Sequence, residues 1–503
     1  MLAETLGHTR MLQWTKIGAA HWFVFIAFGA LFFTLITAYG QLFDPLFALP
    51  IIGHWPPYEW ASEIIAWAGL ISIVFLIIVR VLLTGRGRES RFFGSRSWQG
   101  FYVELTILGI VLCILALHAM EYRLLGAETS RLHFPLTWFL LPAGINPAAL
   151  ETGIVIIAAI KIIISMAWFI VIGLNTTMGV AWHRFTSWPN IWFKRESSGK
   201  PALGTLQPIM VDSKPLDFAE IEDLDEDASL GVGKVEDFTW KGLLDFTSCT
   251  ECGRCQSQCP AWHTGKPLSP KLLIMDLREH AYAKAPYLQA AESARAALPE
   301  ATRAEATRPL VGPIEITDGV PGVIDPDVLW SCTTCGACVQ QCPVDIEHVD
   351  HILDMRRFEV MMSAEFPTEL NGLFKGLESK GNPWNMSPRG RMDWAKDLRF
   401  QCQSSARTSR TSATSSISSG WLRGGVRRSC QEDHACRRGA AAHCGRELCR
   451  TRQRRDMHRR SRPARRKRVR LSAAGHAECG DLAGGQRDQD RRNVCTLPER
   501  LEK

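Results

Sequence analysis

Apolar residues dominate four stretches of the first 175 positions, at about 17–40, 62–84, 98–122 and 149–174. Each is long enough for a helix that crosses a bilayer, which takes about 20 residues. Charge is distributed unevenly between them. Arg10 and Lys16 precede the first stretch, and Arg86, Arg88, Arg91 and Arg96 fill the link between the second and third, whereas residues 41–61 contain neither Lys nor Arg. The positive-inside rule then predicts a multi-pass protein of the cell membrane, with both termini cytoplasmic and outer loops at 41–61 and 123–148. Residues 133–141 are apolar but too short to span, so they read as a re-entrant or interfacial piece. Trp55, Trp60, Trp98 and Trp182 fall where interfacial aromatics belong. No small-residue cleavage site closes the first stretch, which separates it from a signal peptide.

Beyond residue 189 the pattern changes. Residues 190–237 are mixed and acidic, with Glu220, Glu222, Asp223, Asp225, Glu226 and Asp227 in one run, as in a solvated linker. Residues 238–399 carry helical periodicity. Ser269 and Pro270 supply an N-cap and a first-turn proline ahead of Leu273, Ile274 and Leu277, and a second helix follows Cys342 with Ile346, Val349, Ile352 and Leu353. An Ala-rich stretch over 288–306 continues as a polar helix or a loose insertion. The chain is therefore expected to be mostly α: a four-helix transmembrane anchor (1–189), an acidic linker (190–237), an α-helical domain (238–399) and a tail (400–503).

Composition alters this picture only at the tail. The net charge of +7 is the balance of −8 over the first 400 residues and +15 over residues 401–503, where 23 Arg stand against 2 Lys. The tail holds few Leu, Ile, Val or Phe and is expected to be disordered. Basic runs bind polyanions without specificity, but no aromatic interleaving or folded motif accompanies this one, so nucleic acid is not an expected partner.

The candidate chemistry lies in the helical domain. Cys249, Cys252, Cys255 and Cys259 are followed by Pro260; Cys332, Cys335, Cys338 and Cys342 are followed by Pro343. This C-x2-C-x2-C-x3-C-P run holds [4Fe-4S] clusters, and where it occurs twice the fourth cysteine of each run serves the other cluster. One cluster then takes Cys249, Cys252, Cys255 and Cys342, the second Cys332, Cys335, Cys338 and Cys259. Zinc also accepts thiolates, but its sites normally use C-x2-C pairs well apart in sequence. Both runs precede helices, which favours a helical ferredoxin with two clusters over the compact β-hairpin type.

Four histidines raise the question of haem b, which needs two imidazoles at one depth on neighbouring helices. His21 and His183 fall near the inner side, His54 and His118 near the outer side. Histidines also occupy membrane interfaces for their amphipathic character, and the sequence leaves both readings open. Lys161 lies mid-span, where a charge costs about 2.5–3.5 kcal/mol on insertion scales. It reads either as a contact for quinone or a haem propionate, or as the partner of Glu104 or Glu151.

D-F-T-S-C-T-E-C-G-R-C-Q-S-Q-C-P, S-C-T-T-C-G-A-C-V-Q-Q-C-P and the G-N-P-W-N of residues 381–385 resemble the iron–sulfur subunits of the heterodisulfide reductase, glycolate oxidase and anaerobic glycerol-3-phosphate dehydrogenase group. The spans followed by W-H-R-F at 182–185 are similar to actinobacterial membrane-bound iron–sulfur reductases, whose anchor resembles the gamma subunit of respiratory nitrate reductase. The resemblance implies an oxidoreductase component that passes electrons between a cytoplasmic donor or thiol/disulfide partner and the membrane quinone pool. The rival expectation is a non-catalytic iron–sulfur or zinc redox sensor with a polyanion-binding tail. The resemblance also implies a C-terminal domain with C-C-G or C-A-G motifs, and neither motif occurs in residues 401–503. Arginine-rich sequence is what a GC-rich gene yields out of frame, so the tail is read as a frameshift product in which that substrate-converting domain is lost. Resequencing the gene checks this: a one-base discrepancy near codon 400 is expected, and recovery of an intact frame encoding the same tail rejects it.

Overall fold

In a computed structural model of the protein, the apolar stretches form helices whose outer faces stay uncovered. The structure describes residues 1–126, 131–195 and 203–395, apart from 212–213, 218, 220–223, 226–227 and 316–318. The tail expected at 400–503 lies outside the described residues, as does most of the acidic run of the linker. Helices α1 (Thr15–Ala30) and α2 (Phe33–Gln41) form the first apolar stretch, followed by α3 (Pro56–Leu83), α4 (Ser97–Leu125) and α5 (Pro147–Leu174). The last three are each long and apolar enough to cross a membrane; α1 and α2 qualify only together, bent by 49°. The first span is thus broken where a continuous helix was expected. Small residues line the seams, with Ala27, Ala66, Ala38 and Ala158 buried between helices, as suits association in a solvent as apolar as the side chains. Phe23, Phe33, Ile64, Ile71, Ile78, Ile163 and Ile170 remain exposed. So large an apolar surface suits lipid and not water, and this is a membrane protein.

The piece at 131–141 is irregular, and side chains from the spans satisfy its backbone. The Leu136 N–H donates to Glu63 Oε2 at 2.7 Å, and the Thr137 hydroxyl donates to Glu63 Oε1. Arg123 donates to the carbonyls of Trp138 and Leu141 at 2.9 Å, and Trp67 to that of Leu136 at 3.0 Å. Such bonding is what lets non-helical chain persist at membrane depth.

A further helix, α6 (Gly179–Trp192), runs across the expected boundary at residue 189. Near its end Asn190 is fully buried and donates to Asp245 Oδ1 and the Val344 carbonyl, both at 2.8 Å. The segment that follows includes a minimal antiparallel pair, β1 (Met210–Val211) with β2 (Lys214–Pro215). Its later part packs inward through Val232 and Val235 instead of remaining solvated. The cysteine domain is built on α7 (Trp240–Ser248), α8 (Pro270–Gln289), α9 (Ala337–Gln341) and α10 (His348–Phe358). The Ser269 hydroxyl accepts from Leu272 N at 3.3 Å, the expected cap of α8, and Leu273, Ile274 and Leu277 are buried on one face. Residues 288–306 break into two short helices, Glu292–Arg295 and Glu300–Ala306.

The chain divides into two units, residues 1–374 and 375–503. Anchor and cysteine domain belong to the first. In the described part of the second, Asn382 ties G-N-P-W-N together, donating to the Met386 carbonyl at 2.7 Å and accepting from its N–H at 2.9 Å.

Replacing Glu63 by alanine strips the partners from Leu136 N and Thr137 Oγ1, at roughly 1–3 kcal/mol each. A clear fall in the unfolding midpoint in detergent is expected for Glu63→Ala, and an unchanged midpoint counts against this anchoring.

Candidate metal centre

Each cysteine run winds its loop by the same backbone device. Two residues after the first cysteine comes a positive φ at Glu251 (56°) and at Thr334 (53°); four residues after it comes a second at Gly253 (70°) and at Gly336 (74°). The prolines act on the fourth cysteine. A residue before proline is driven to extended backbone, and Cys259 (φ −77°, ψ 119°) and Cys342 (φ −69°, ψ 120°) both adopt it. The chain turns away there, carrying the fourth sulfur out of its own loop. Cys249, Cys255, Cys259, Cys338 and Cys342 are buried, Cys252 and Cys332 half-buried, and Cys335 exposed.

Electrostatic neighbours show which thiols stand together. Burial pushes the Cys255 thiol well up, and Cys252, Cys249, Cys342 and Cys338 add to it as potential anions. The Cys342 thiol is pushed up by burial and by Cys252 from the first run. In the same way Cys338 is raised by burial and then by Cys332, Cys259 and Cys335, of which Cys259 belongs to the first run. Each fourth cysteine thus lies near thiols of the other run, Cys342 beside Cys252 and Cys255, and Cys259 on one small cavity with Cys332, Cys335 and Cys338. Among the described residues no group of three or more His, Cys, Asp or Glu draws close enough to hold a single metal ion. A cubane, with a separate iron for each thiolate, suits a looser set of four sulfurs.

The first run is seated on the anchor. A Cβ at Gly179, the first residue of α6, would overlap the carbonyl oxygen of Cys249, and one at Gly253 would overlap that of Arg91 in the link between α3 and α4. Buried cations bind across the same seam. Arg254 donates to the carbonyls of Arg10 (3.2 Å) and Met11 (3.4 Å); Lys271 donates to those of Arg91 (3.1 Å) and Phe93 (2.5 Å) and to the Ser95 hydroxyl (2.8 Å). Arg278 donates to the Cys249 carbonyl at 3.3 Å and pairs with Glu251 at 2.6 Å. Arg10 pairs with Asp345 at 2.5 Å, and Trp14 donates to Gln341 at 3.0 Å.

His183 lies one turn along α6 from Gly179, about 6 Å of rise. Its ring centre is 6.2 Å from that of His21 on α1, and the ring of His8 lies 5.4 Å from that of His21, tilted by 36°. The buried Nδ1 of His21 has no hydrogen-bond partner. A metal–imidazole bond is about 2 Å and a ring centre lies about 1 Å behind its nitrogen, so two rings on one iron stand about 6 Å apart. The 6.2 Å between the rings of His21 and His183 matches that separation. His54 and His118 line one recess of the anchor together with Gln41, Tyr58 and Glu121. His54 is exposed there, while His118 Nδ1 lies 3.5 Å from Glu63. No ring contact joins these two among the described residues.

Lys161 is 2 % exposed and donates to the Thr34 carbonyl at 2.7 Å and its hydroxyl at 2.8 Å, at the start of α2 just past the break. Neither expected partner takes it: Glu104 pairs with Arg80 at 2.8 Å and Glu151 is exposed. Lys161 borders both this recess and an apolar cleft lined by Phe28, Thr106, Ser165, Trp168 and Arg184.

Sequence reasoning missed Arg254, Lys271, Arg278 and His8. One signal was available. The two runs, C-T-E-C-G-R-C and C-T-T-C-G-A-C, differ at Glu251 against Thr334 and Arg254 against Ala337, so the charges belong to the first alone.

Residues 248–346 match the family model of the 4Fe-4S dicluster domain, which makes this segment a dicluster ferredoxin domain on a helical anchor. The chain is related to membrane-anchored iron–sulfur oxidoreductases. It is 38 % identical over 215 residues to an "EtfAB:quinone oxidoreductase" of Syntrophomonas wolfei, covering 42 % of this chain and 28 % of that protein. It is 41 % identical over 184 residues to a "Probable membrane-anchored ferredoxin" of Chromohalobacter salexigens, covering 35 % and 26 %. With a "Probable iron-sulfur-binding oxidoreductase FadF" of Bacillus subtilis the identity is 27 % over 415 residues, covering 78 % and 54 %. The chain thus spans from about a quarter to about half the length of these curated relatives. No solved structure matches it.

A methyl group at Gly179 or Gly253 meets backbone that cannot swing aside. Gly179→Ala and Gly253→Ala are each expected to weaken the seating of the cysteine domain by roughly 3 kcal/mol. Faster limited proteolysis between residues 192 and 240 in membranes checks this, with Gly173→Ala, where a Cβ meets open space on helical backbone, as the reference.

Proposed function

We propose that this chain is the electron-transfer subunit of a membrane-bound oxidoreductase, carrying electrons between a cytoplasmic donor or thiol/disulfide partner and quinone in the membrane. The observation that carries the reading is that each fourth cysteine lies near thiols of the other loop, the first of the two loops being seated on the anchor. Cys249, Cys252, Cys255 and Cys342 would hold one [4Fe-4S] cluster and Cys332, Cys335, Cys338 and Cys259 the other. Each cluster, when bound, supplies one-electron transfer without proton chemistry. The chain's own residues exclude water from most of the sulfurs, leave Cys335 at the surface toward a soluble partner, and bring the first loop against α6.

His21 and His183 are the haem b ligands of this reading at the inner side, one helical turn from the carbonyl of Cys249. His54 and His118 are the weaker pair, since Glu63 holds His118. Lys161 and Arg184 offer cationic donors at the wall of the lipid-facing cleft, suited to a quinone carbonyl whose isoprenoid tail stays in lipid. The quinone assignment is supported by the name of the Syntrophomonas relative and by this cleft. The relevant topology places both termini and the cysteine domain on the cytoplasmic side, as the arginines around 86–96 favour.

Anaerobic membranes containing the intact chain test the reading. Reduced samples should show two interacting [4Fe-4S] signals by EPR, and Cys342→Ala should remove or convert the signal of the set seated on the anchor. Zinc without iron rejects the reading. Reduced-minus-oxidised optical spectra should show a b-type haem that His21→Ala or His183→Ala removes; a spectrum unchanged in both variants takes these histidines out of the account.

A further inference from the structure

The two sets of sulfurs are alike in backbone but not in the charge around them. Arg10 and Arg278 at the first set are each matched by a carboxylate, Asp345 and Glu251. Arg254 and Lys271 are 1 % and 0 % exposed, and the hydrogen bonds they make go to uncharged atoms of residues 10–11 and 91–95. Arg254 acts on Cys252 and Cys342, Lys271 on Cys255, Cys249 and Cys252 and also on Glu251, whose carboxylate Arg278 already binds, and the half-buried Arg91 adds to the field at Cys252. Among the described residues, the cation found at the second set is Arg356, half-buried and donating to the Cys332 carbonyl at 2.7 Å.

We propose that Arg254 and Lys271 hold the cluster of Cys249, Cys252, Cys255 and Cys342 at a higher reduction potential than that of Cys332, Cys335, Cys338 and Cys259, making the set seated on the anchor the electron acceptor of the pair. The proposal rests on the two-cluster reading above. Reduction adds one negative charge to a thiolate-bound cluster, so an unmatched cation nearby favours the reduced form. Two other influences must be weighed against this one. Burial of the first set disfavours the added charge, yet the same burial removes the water that would screen Arg254 and Lys271. Backbone N–H groups reach sulfurs in both sets, Ile346 donating to Cys342 Sγ in the first and Thr334 to Cys332 Sγ in the second, each at 3.4 Å, so they do not separate the two. Charge therefore decides the order. One electron passes at a time, the second set being oxidised as the first is reduced, and no proton need move. The exposed Cys335 marks the entry side and the seam with α6 the exit side.

An anaerobic potentiometric titration of the full chain in detergent, followed by EPR, tests the order. The wild type should show two clusters of different potential. Arg254→Gln and Lys271→Met should each lower the higher potential by at least a tenfold change in the reduction equilibrium, about 59 mV for one electron. Arg356→Gln should lower the other. Movement of the lower-potential cluster by Arg254→Gln or Lys271→Met, or no movement at wild-type iron content, overturns the proposal. Should both buried variants lose iron, Arg91→Gln replaces them, with a downward shift of the higher potential expected and a null result overturning it. A wild type lacking [4Fe-4S] signals defeats the two-cluster reading itself, an outcome distinct from loaded clusters in the opposite order.

Discussion

Between the start of α6 and the carbonyl of Cys249 there is no room for a side chain, and the same is true between Gly253 and the carbonyl of Arg91. Backbone approaches this close fix the cysteine loop against the anchor more tightly than side-chain packing alone would, because neither partner can change rotamer to relieve a misfit. The loop's sulfurs are then held relative to α6, and α6 carries His183 one turn further on. The conduction path proposed for this chain depends on that seam. A domain tethered only by residues 190–237 would leave the separation of its sulfurs from the membrane undefined.

The seam also explains the placement of charge. Two glycine contacts bring many backbone carbonyls together at the underside of the domain, and buried carbonyls need donors. Arg254 and Lys271 supply them, answering the carbonyls of Arg10, Met11, Arg91 and Phe93. Cations recruited for this purpose lie beside thiolates that would carry a negative cluster, so one set of residues serves docking and electrostatics together. The carboxylates Glu251 and Asp345 take up Arg278 and Arg10, which limits the excess of positive charge to the two residues with uncharged partners.

Much of this was legible in the sequence because the signals are local. The C-x2-C-x2-C-x3-C-P runs, the cap at Ser269 and three of the spans each depend on neighbours within a few residues, and the structure places them where the periodicity does. What escaped depends on contacts distant in sequence. The first span reads as continuous because residues 17–40 are apolar throughout, yet it breaks at Leu31–Phe32 and presents Thr34 to Lys161, 127 residues away. The same holds for Lys161 itself: a charge in a span announces that it needs a partner, but not that the partner is a neutral carbonyl and hydroxyl. Asn190, placed in a solvated linker, is buried by Asp245 and Val344. His8 sits beside His21 only because the chain folds back ahead of α1. The difference between Arg254 and Ala337 in otherwise matching runs was visible, but its meaning required knowing which side of each loop faces the anchor.

The most direct measurement is a cryo-EM map of the intact chain in lipid nanodiscs, prepared without oxygen. Two cube-shaped densities are predicted, one bounded by Cys249, Cys252, Cys255 and Cys342 at the seam with Gly179, the other by Cys332, Cys335, Cys338 and Cys259 on the far side of the first. Single-ion densities, clusters each confined to one cysteine run, or a cysteine domain standing clear of α6 would contradict the account.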